Sequence, residues 1–235
     1  MANIVYRDQL GAFVCMLSTP VSPIKKSVGT GTFVHKDGFP YLLTAAHVAR
    51  ETNANTTIVM HNGKGGALEI KFSTVNPTLT WKYHPKADMA VCRMDISSCS
   101  ALFEKHFAPY DIFDVSEDEI SRDDELTVVG FPSGLGSSGK FSPLTFRSFA
   151  ASSFITLSRA DTGTPSDFFC LEQPSMGGYS GGPVLDLGYR VMGALTTTSG
   201  KGTKIKGLIH GTMSDITGGK LALVTPAYYL NDILW

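Results

Sequence analysis

The chain has 235 residues, 43% of them hydrophobic and 17% charged, and its 20 basic and 21 acidic side chains leave a formal net charge of −1. This balance is that of an ordinary globular protein, so it excludes a disordered chain, a collagen-like repeat and a small disulfide-rich protein. The length suffices for one large domain or for two smaller domains that share an interface. A net charge near zero provides no long-range attraction to nucleic acid or to an anionic membrane, and we expect neither partner.

Targeting signals and cysteines predict a cytoplasmic protein. The only apolar stretch near the N-terminus, residues 12–17, is too short for a secretory signal. No apolar run approaches the roughly 20 residues that span a bilayer. The cysteines form no C-x-x-C pair and have no histidine at zinc-ligand spacing, so we expect no metal and no cofactor. Free buried thiols are the first interpretation, and one or two disulfides in an exported protein are the alternative, for the four cysteines Cys15, Cys92, Cys99 and Cys170.

Short apolar stretches rich in β-branched and aromatic residues recur along the chain, separated by glycine and proline. Such stretches predict β-strands. In chain order the predicted strands are 28–34, 41–43, 57–60, 89–94, 126–130, 146–157, 168–171, 191–197 and 221–224. Only the last residues, after Pro226, have a helical pattern. The sequence therefore predicts an all-β sandwich or barrels with a short C-terminal helix.

An acidic segment lies between residues 111 and 125. It contains one base, Arg122, and eight acids, Asp111, Asp114, Glu117, Asp118, Glu119, Asp123, Asp124 and Glu125. Because like charges this close disfavour burial, the segment predicts a solvated linker. The domains are then residues 1–112 and 125–235, joined by an acidic linker of residues 113–124. A calcium site or a docking patch for a basic partner is the alternative interpretation.

Residues 134–140, Gly-Leu-Gly-Ser-Ser-Gly-Lys, satisfy the dinucleotide motif G-x-G-x-x-G and the first part of a phosphate-binding P-loop. Both motifs bind phosphate through the N-terminus of a helix that follows the loop. Pro143 argues against that helix, and Phe141 stands where a P-loop needs Ser or Thr to hold magnesium. We therefore predict a flexible glycine loop here.

Residues 178–182, Gly-Tyr-Ser-Gly-Gly, match the G-x-S-x-G elbow of α/β-hydrolases, in which an acid and then a histidine follow the serine along the chain. Only one histidine, His210, follows Ser180. The elbow also needs a helix directly after the serine, whereas Gly181, Gly182 and Pro183 predict a turn. The α/β-hydrolase interpretation fails on this context.

A third interpretation joins Ser180 to residues upstream of it. His47 ends the segment Thr-Ala-Ala-His, Asp88 begins Asp-Met-Ala-Val, and Ser180 lies in Gly-Tyr-Ser-Gly-Gly-Pro. Together and in this order, the three segments resemble the chymotrypsin-like serine proteases. The resemblance implies two six-stranded antiparallel β-barrels with the active site between them.

The resemblance narrows to the Deg, or high-temperature-requirement, proteases and other compact trypsin-like peptidases. It extends from about residue 29 to the C-terminus and includes residues 29–34, 129–136, 191–195 and 223–226. The chain departs from that family in two ways. No PDZ domain follows the last strand, and Tyr179 stands where Asn or Asp usually precedes the nucleophile. Activation through an ion pair to that Asp is therefore not expected, and the glycine loop is the expected mobile element.

The resemblance implies a serine endopeptidase that acts on protein or peptide substrates. Ser180 is then the nucleophile, His47 the general base, and Asp88 the carboxylate that orients the imidazole. Asp95 is the competing candidate for this acid. The backbone N–H groups of Gly178 and Ser180 are the implied oxyanion hole.

The implied substrate pocket has its floor near Pro174 and a wall around residues 221–224. A further wall comes from Thr196, Thr197 and Thr198. Thr196 would also hydrogen-bond the carboxylate of the triad. Because none of these residues is acidic, an Arg or Lys side chain would lack a buried partner there. We expect cleavage after small or medium apolar residues.

Two rival functions use the same fold. One is a catalytically silent binding module, which the departure at Tyr179 leaves open. The other is an esterase, because the acyl chemistry of a Ser-His-Asp triad is the same for esters and peptides. The short chain and the lack of an export signal suggest limited proteolysis of a dedicated intracellular target.

Overall fold

The structure is a computed structural model and describes residues 3–159, 161–193 and 195–234. The first half of the chain forms one eight-stranded sheet, whose strands are β1 Val14–Ser22, β2 Lys25–Lys36, β3 Phe39–Thr44, β4 Thr57–His61, β5 Ala67–Lys71, β6 Lys82–Tyr83, β7 Ala90–Arg93 and β8 Ala108–Pro109. Its strand order is β5-β4-β1-β2-β3-β7-β6, with antiparallel neighbours, and β8 pairs in parallel with β2.

The second half contains the strands β9 Glu125–Gly130, β10 Leu144–Phe149, β11 Ile155–Ser158, β12 Pro165–Leu171, β13 Pro183–Asp186, β14 Tyr189–Met192, β15 Leu195–Thr198, β16 Lys204–Ser214 and β17 Lys220–Pro226. Seven of them form an antiparallel sheet in the order β10-β9-β13-β16-β17-β12-β11. Strands β14 and β15 pair only with each other, as a separate hairpin within the described part of the chain. Two large antiparallel sheets with little helix confirm the predicted two-barrel, all-β fold.

The helices are all short. The α-helices are α1 Ala46–Glu51, α2 Phe72–Val75 and α3 Ser100–Phe103, and the 3-10 helices are Arg7–Ala12, Tyr110–Ile112, Pro132–Gly134 and Ala227–Asp232. The last of these takes the place of the predicted C-terminal helix. In the described ranges, every helix falls short of the length and apolarity needed to cross a bilayer.

Two strand predictions are corrected. Residues 146–157 do not form one strand, because a bend separates β10 from β11. Residues 191–197 form a hairpin, β14 and β15, with Ala194 outside the described residues. Strand β16 was not predicted at all, because its two glycines and its scattered polar residues interrupt the apolar alternation that marks a strand.

The two halves share one hydrophobic core, in addition to a core within each sheet. The shared cluster combines Phe13 and Leu43 of the first half with Val129 and Leu208 of the second. The first sheet has its own cluster around Phe33 and the second sheet another around Phe169. Burial of apolar surface between the sheets therefore fixes the geometry of any site that both halves build.

Each half also holds the terminal segment of the other. Near the N-terminus, Val5 N donates to Thr203 Oγ1 at 2.7 Å and Arg7 N donates to Tyr189 Oη at 3.0 Å, both in the second half. Near the C-terminus, Asp232 is 2.8 Å from His84 Nε2 in the first half. The two ends of the chain thus reinforce the packing of one sheet on the other.

The acidic segment runs along the second half. Residues 113–124 form no strand, Phe113 and Ile120 are buried, and Asp114 pairs with Lys206 at 2.6 Å. This segment is therefore only partly solvated, and the domain boundaries stay predictions. All four cysteines are free thiols; Cys99 alone is partly exposed. Burial raises the pKa of Cys92 to about 12, which leaves that thiol unreactive.

Candidate active site

Asp88 and His47 meet at the start of helix α1. His47 is the second residue of that helix, so its backbone N–H has no partner within the helix. Asp88 is fully buried and supplies the partner, because its Oδ1 accepts this N–H at 2.9 Å while its Oδ2 lies 2.7 Å from His47 Nδ1. One carboxylate therefore fixes both the backbone and the ring of the histidine.

Two further donors reach the same carboxylate. His210 Nδ1 lies 2.6 Å from Asp88 Oδ2, and Arg159 Nη2 donates to Oδ1 at 3.2 Å. Burial by itself raises the pKa of Asp88, but hydrogen bonds from His210 and His47 outweigh it and hold that pKa far below the usual carboxyl range. Because the ionised carboxylate only accepts, each Nδ1 carries a proton, and in a neutral ring Nε2 is then the acceptor.

The ring of His47 is a suitable base. Burial lowers its pKa, but the hydrogen bond that it donates to Asp88 and the negative charges of Asp88, Asp161 and Glu51 raise the pKa by more, so the net pKa lies above the ordinary histidine value. A histidine whose Nδ1–H is held by a carboxylate presents Nε2 to accept a proton.

Ser180 lies in a tight glycine loop beside this pair. Gly181 has φ +81°, and a Cβ there would overlap Thr44 Oγ1 and Thr30 O, so only glycine lets the loop approach the end of β3. Ser180 Oγ donates to the carbonyl oxygen of His210 at 3.3 Å, rather than to the ring of His47. A hydrogen bond between a catalytic serine and its histidine is often long before substrate binds and shortens in the complex.

Thr30 of strand β2 fastens the serine loop to the first half. It is fully buried, its N–H donates to Ser180 O at 2.8 Å, and its Oγ1 donates to Gly178 O at 2.7 Å. The same Oγ1 accepts from Phe131 N at 3.2 Å. One threonine thus joins the serine loop, strand β2 and the end of strand β9.

The loop leaves two backbone N–H groups without an internal acceptor. The carbonyl of Gly177 accepts from Ser133 N at 2.8 Å, and the carbonyl of Tyr179 accepts from the N–H three residues on at 2.7 Å. The C=O and N–H of a trans peptide point in opposite directions, so the N–H groups of Gly178 and Ser180 face away from these partners. Among the described residues neither has an acceptor, as an oxyanion hole requires.

Tyr179 has a packing role. Its side chain is buried in the core of the second sheet and meets Phe146 edge to face, with ring centroids 5.1 Å apart. Burial raises its pKa, so the ring stays neutral. The departure from Asn or Asp at this position therefore adds apolar contact beneath the serine loop instead of a charge.

His210 is the site residue that the sequence did not predict in this role. Ile209 pairs with Val224 while Gly211 pairs with Leu223, so His210 is the extra residue of a β-bulge in β16. A bulge turns a side chain out of the ordinary alternation, which directs this ring to Asp88. A histidine between two glycines in a weak strand pattern gave no signal of that geometry.

Arg159 also went unpredicted. It follows β11, is buried, and donates to Asp88, to Lys86 O at 2.9 Å and to Asp161 at 2.6 and 2.9 Å. Arg50 of helix α1 also pairs with Asp161. The turn between β11 and β12 therefore contacts the first half through buried and half-buried charges.

The predicted contact of Thr196 with the carboxylate is wrong, because His210 takes that place. Thr196, Thr197 and Thr198 lie on the exposed hairpin strand β15. Thr197 and Thr198 line a surface hollow with Asp124 and Tyr189. The hairpin β14–β15 is inserted between β13 and β16, so the strand that borders Ser180 comes later in the chain than the resemblance implied.

Strand β16 lies beside the serine loop instead, because Gly181 N donates to Ile209 O at 2.8 Å. Pro174 is exposed, and its neighbour Ser175 joins Thr212 through a hydroxyl pair at 2.9 Å, while Thr212 Oγ1 also donates to Ser175 O at 2.9 Å. Next to His210 lies a largely apolar cavity of about 330 Å³, lined by Leu157, Ser158, Phe168, His210, Gly211, Thr212, Met213 and Leu223.

Asp95, the competing acid, does not reach the site. It is exposed, and its carboxylate accepts from the N–H and the hydroxyl of Ser97, which together lower its pKa.

We tested whether a metal ion could be bound at the one place, among the described residues, where three potential ligands meet. The ligand atoms there lie within 4.8 Å of one another and belong to His47, Asp88 and His210. Two ligands on a tetrahedral metal at roughly 2.0 Å would lie about 3.3 Å apart. The N–O distances here are 2.7 and 2.6 Å, so the three groups are joined by hydrogen bonds. The donor geometry does not fit a metal ion.

Comparisons with known proteins agree with this architecture. The sequence pattern of the trypsin-like peptidase domain matches residues 29–193. The structure resembles the Rv3671c protease from M. tuberculosis in its active form, with a TM-score of 0.64 and 18% identity over 97% of this chain and 81% of that one. It also resembles a serine endoprotease from Yersinia pestis (TM-score 0.54, 16% identity, 97% of this chain and 65% of that one) and the thermostable serine protease AL20 from an extremophilic microorganism (TM-score 0.53, 10% identity, 92% of each chain). The chain matches none of the curated proteins.

Proposed function

The chain belongs to the family of trypsin-like peptidase domains, a serine-type peptidase family, and we propose that it is a serine endopeptidase in which Ser180, His47 and Asp88 form the triad. The observation that carries the proposal is the buried, ionised Asp88, which holds the Nδ1–H of His47 at 2.7 Å beside the loop of Ser180. This arrangement leaves His47 Nε2 as the free acceptor that general-base catalysis needs.

The reaction follows the chemistry of these groups. Ser180 Oγ attacks the carbonyl carbon of the substrate, and its proton passes to His47 Nε2. Asp88 stabilises the imidazolium, and the N–H groups of Gly178 and Ser180 bind the oxyanion. The C–N bond then breaks, the proton on His47 goes to the leaving amine, and water hydrolyses the acyl-enzyme by the same steps.

The edge of β16 supports a peptide as substrate. One edge of β16 pairs with β17, and its other edge pairs with β13 only as far as Leu208. Beyond Ile209 that second edge has no strand partner in the described ranges. An extended substrate can add to such an edge through main-chain hydrogen bonds. The hydroxyl pair of Ser175 and Thr212 joins this strand to the segment that precedes Ser180, and the pair carries no charge. We expect it to favour small or medium apolar residues before the cleaved bond, in an intracellular protein target.

A fluorophosphonate probe tests the assembled nucleophile. The wild-type protein should be labelled, and Ser180→Ala and His47→Ala should lose labelling. Asp95→Asn is the matched control, because it removes the competing acid, and it should be labelled like the wild type. A folded wild type that resists labelling would overturn the proposal and favour the binding module.

Turnover then separates peptidase from esterase. The endopeptidase proposal requires that the wild type cleave both a small thioester or ester and an unfolded protein, and that Ser180→Ala cleave neither. Hydrolysis of the ester alone, with no cleavage of any peptide in a library of extended sequences, would assign the same triad to an esterase.

A further inference from the structure

The general base does not have its carboxylate to itself. His47 Nδ1 and His210 Nδ1 lie 2.7 and 2.6 Å from the same atom, Asp88 Oδ2. The two rings stand nearly perpendicular, at 85°, with centroids 5.7 Å apart. Two equivalent imidazole donors therefore compete for one oxygen.

The position of His210 is fixed from both sides. Its place in the bulge of β16 sets the direction of the side chain, and its ring packs on Phe168 with centroids 5.0 Å apart. Its carbonyl accepts from Ser180 Oγ. The residue thus contacts the acid through its ring and the nucleophile through its backbone.

The charges around the cluster come from two elements. Arg159, from the β11–β12 turn, binds the other oxygen of Asp88, and Asp161 from the same turn binds Arg159. Helix α1 adds Arg50, paired with Asp161, and Glu51, whose charge also acts on His47. Asp88 is the one carboxylate among these groups that touches His47, and it divides its hydrogen bonds among His47, His210 and Arg159.

We propose that His210 is a positioning residue that tunes the general base: it shares Asp88 Oδ2 with His47, and thereby holds the carboxylate in place and reduces the affinity of His47 for a proton. The inference rests on the proposed peptidase function and extends it. A hydrogen bond to the ionised form of a carboxylate stabilises that form and weakens its pull on a neighbouring cation. His47 consequently stays unprotonated, and active as a base, at lower pH than it would with Asp88 to itself.

Two substitutions distinguish the shared hydrogen bond from simple packing. His210→Leu keeps an apolar side chain against Phe168 and removes the donor to Asp88. His210→Asn places an amide N–H near the former Nδ1 and keeps a donor that does not titrate. His35→Leu is the control for loss of a histidine, because His35 is exposed on β2.

The first readout is kcat/KM for a small ester as a function of pH. In His210→Leu the acid limb should move to higher pH by about half a unit or more, because Asp88 then pulls more strongly on the His47 imidazolium. His210→Asn should restore most of the wild-type profile, and His35→Leu should match it. An unmoved acid limb in His210→Leu, or an equal shift in His210→Asn, would overturn the inference.

The second readout does not need activity. Titration of the ring nitrogens of 15N-histidine in the Ser180→Ala protein, with and without His210→Leu, follows the protonation of His47 directly. A higher midpoint for His47 in the double variant supports the inference, and an equal midpoint overturns it. An inactive wild type with the expected NMR shift would count against the peptidase proposal and leave the role of His210 standing.

Discussion

The loop of Ser180 and the cluster around Asp88 lie side by side but are held by different means. Backbone hydrogen bonds and the small volume of Gly178 and Gly181 define the loop, whereas side chains from four separate segments define the cluster. A side chain added to the loop overlaps backbone atoms that cannot move away. The hydrogen bonds to Asp88 come from separate side chains and can be removed one at a time. The two regions should therefore respond differently to substitution.

The largest effect is expected at the centre of the cluster. Asp88→Asn removes the charge that stabilises the His47 imidazolium, and the amide N–H opposes the donors of both histidines. We expect kcat for a small ester to fall by about 10³–10⁴-fold, as such a change does in related triads. Asp95→Asn should have no such effect. A loss of less than tenfold in a correctly folded Asp88→Asn protein would contradict the assignment of the acid.

The second largest effect is expected from adding a side chain to the serine loop. Gly178 has φ +104°, and a Cβ there would overlap Phe131 O, whereas a Cβ on Gly177 would meet nothing within 4 Å. Gly178→Ala should displace the N–H that binds the oxyanion and lower kcat by about 10²-fold or more. Gly177→Ala should cost less than about threefold, because its backbone needs no left-handed conformation. Equal losses in the two variants would show that the loop tolerates no side chain at all.

Loss of the hydrogen bonds between Thr30 and the serine loop should have an intermediate effect. Thr30→Val removes the hydroxyl that binds Gly178 O, and we expect a loss of about 1–3 kcal/mol in the free energy of unfolding together with about tenfold in kcat. Thr32 lies two residues on in the same strand, and its equally buried hydroxyl has no hydrogen-bond partner among the residues that the structure describes. Thr32→Val should therefore leave stability unchanged or increase it. Chemical denaturation of the two variants measures the stability that the Thr30 hydroxyl contributes. Equal free energies of unfolding would show that it contributes none.

The smallest effect is expected at the edge of the cluster. The charge of Asp161 raises the pKa of His47. Asp161→Asn should lower that pKa, so the acid limb of kcat/KM should move to lower pH. Because Asp161 is partly exposed, we expect a few tenths of a unit at low ionic strength and almost nothing at about 1 M salt, where charges are screened within roughly 3 Å. Glu69→Gln, an exposed change on β5, serves as the reference; a shift upward in Asp161→Asn would contradict the sign.

Most of the loop around Ser180 could be predicted from the sequence, but little of the cluster around Asp88 could be. Glycines at residues 178, 181 and 182 are required wherever the backbone packs this closely, so a short motif was enough to locate Ser180. His47 and Asp88 were located because each lies in a distinctive short segment. Their contact with His210 and Arg159 depends on a bulge and on the packing of a distant turn, neither of which leaves a local pattern.

The prediction of the substrate wall failed for a related reason. The resemblance placed the wall at Thr196, just past the strand expected to follow the serine, and the inserted hairpin β14–β15 moved the bordering strand to β16. Distances along a sequence convert to positions in a sheet only when the connections keep a fixed length. Here a hairpin exposed on the surface altered the count without altering the sheet.

The exchange of terminal segments between the halves bears on how the protein comes apart. Residues near Val5 bind the second half, and residues near Asp232 bind the first, so separating the sheets breaks contacts at both ends of the chain as well as in the core between them. Heating should therefore melt both halves in a single cooperative transition, with equal calorimetric and van't Hoff enthalpies. Split between residues 112 and 125, the two fragments should each be unstable alone and recover structure only when mixed.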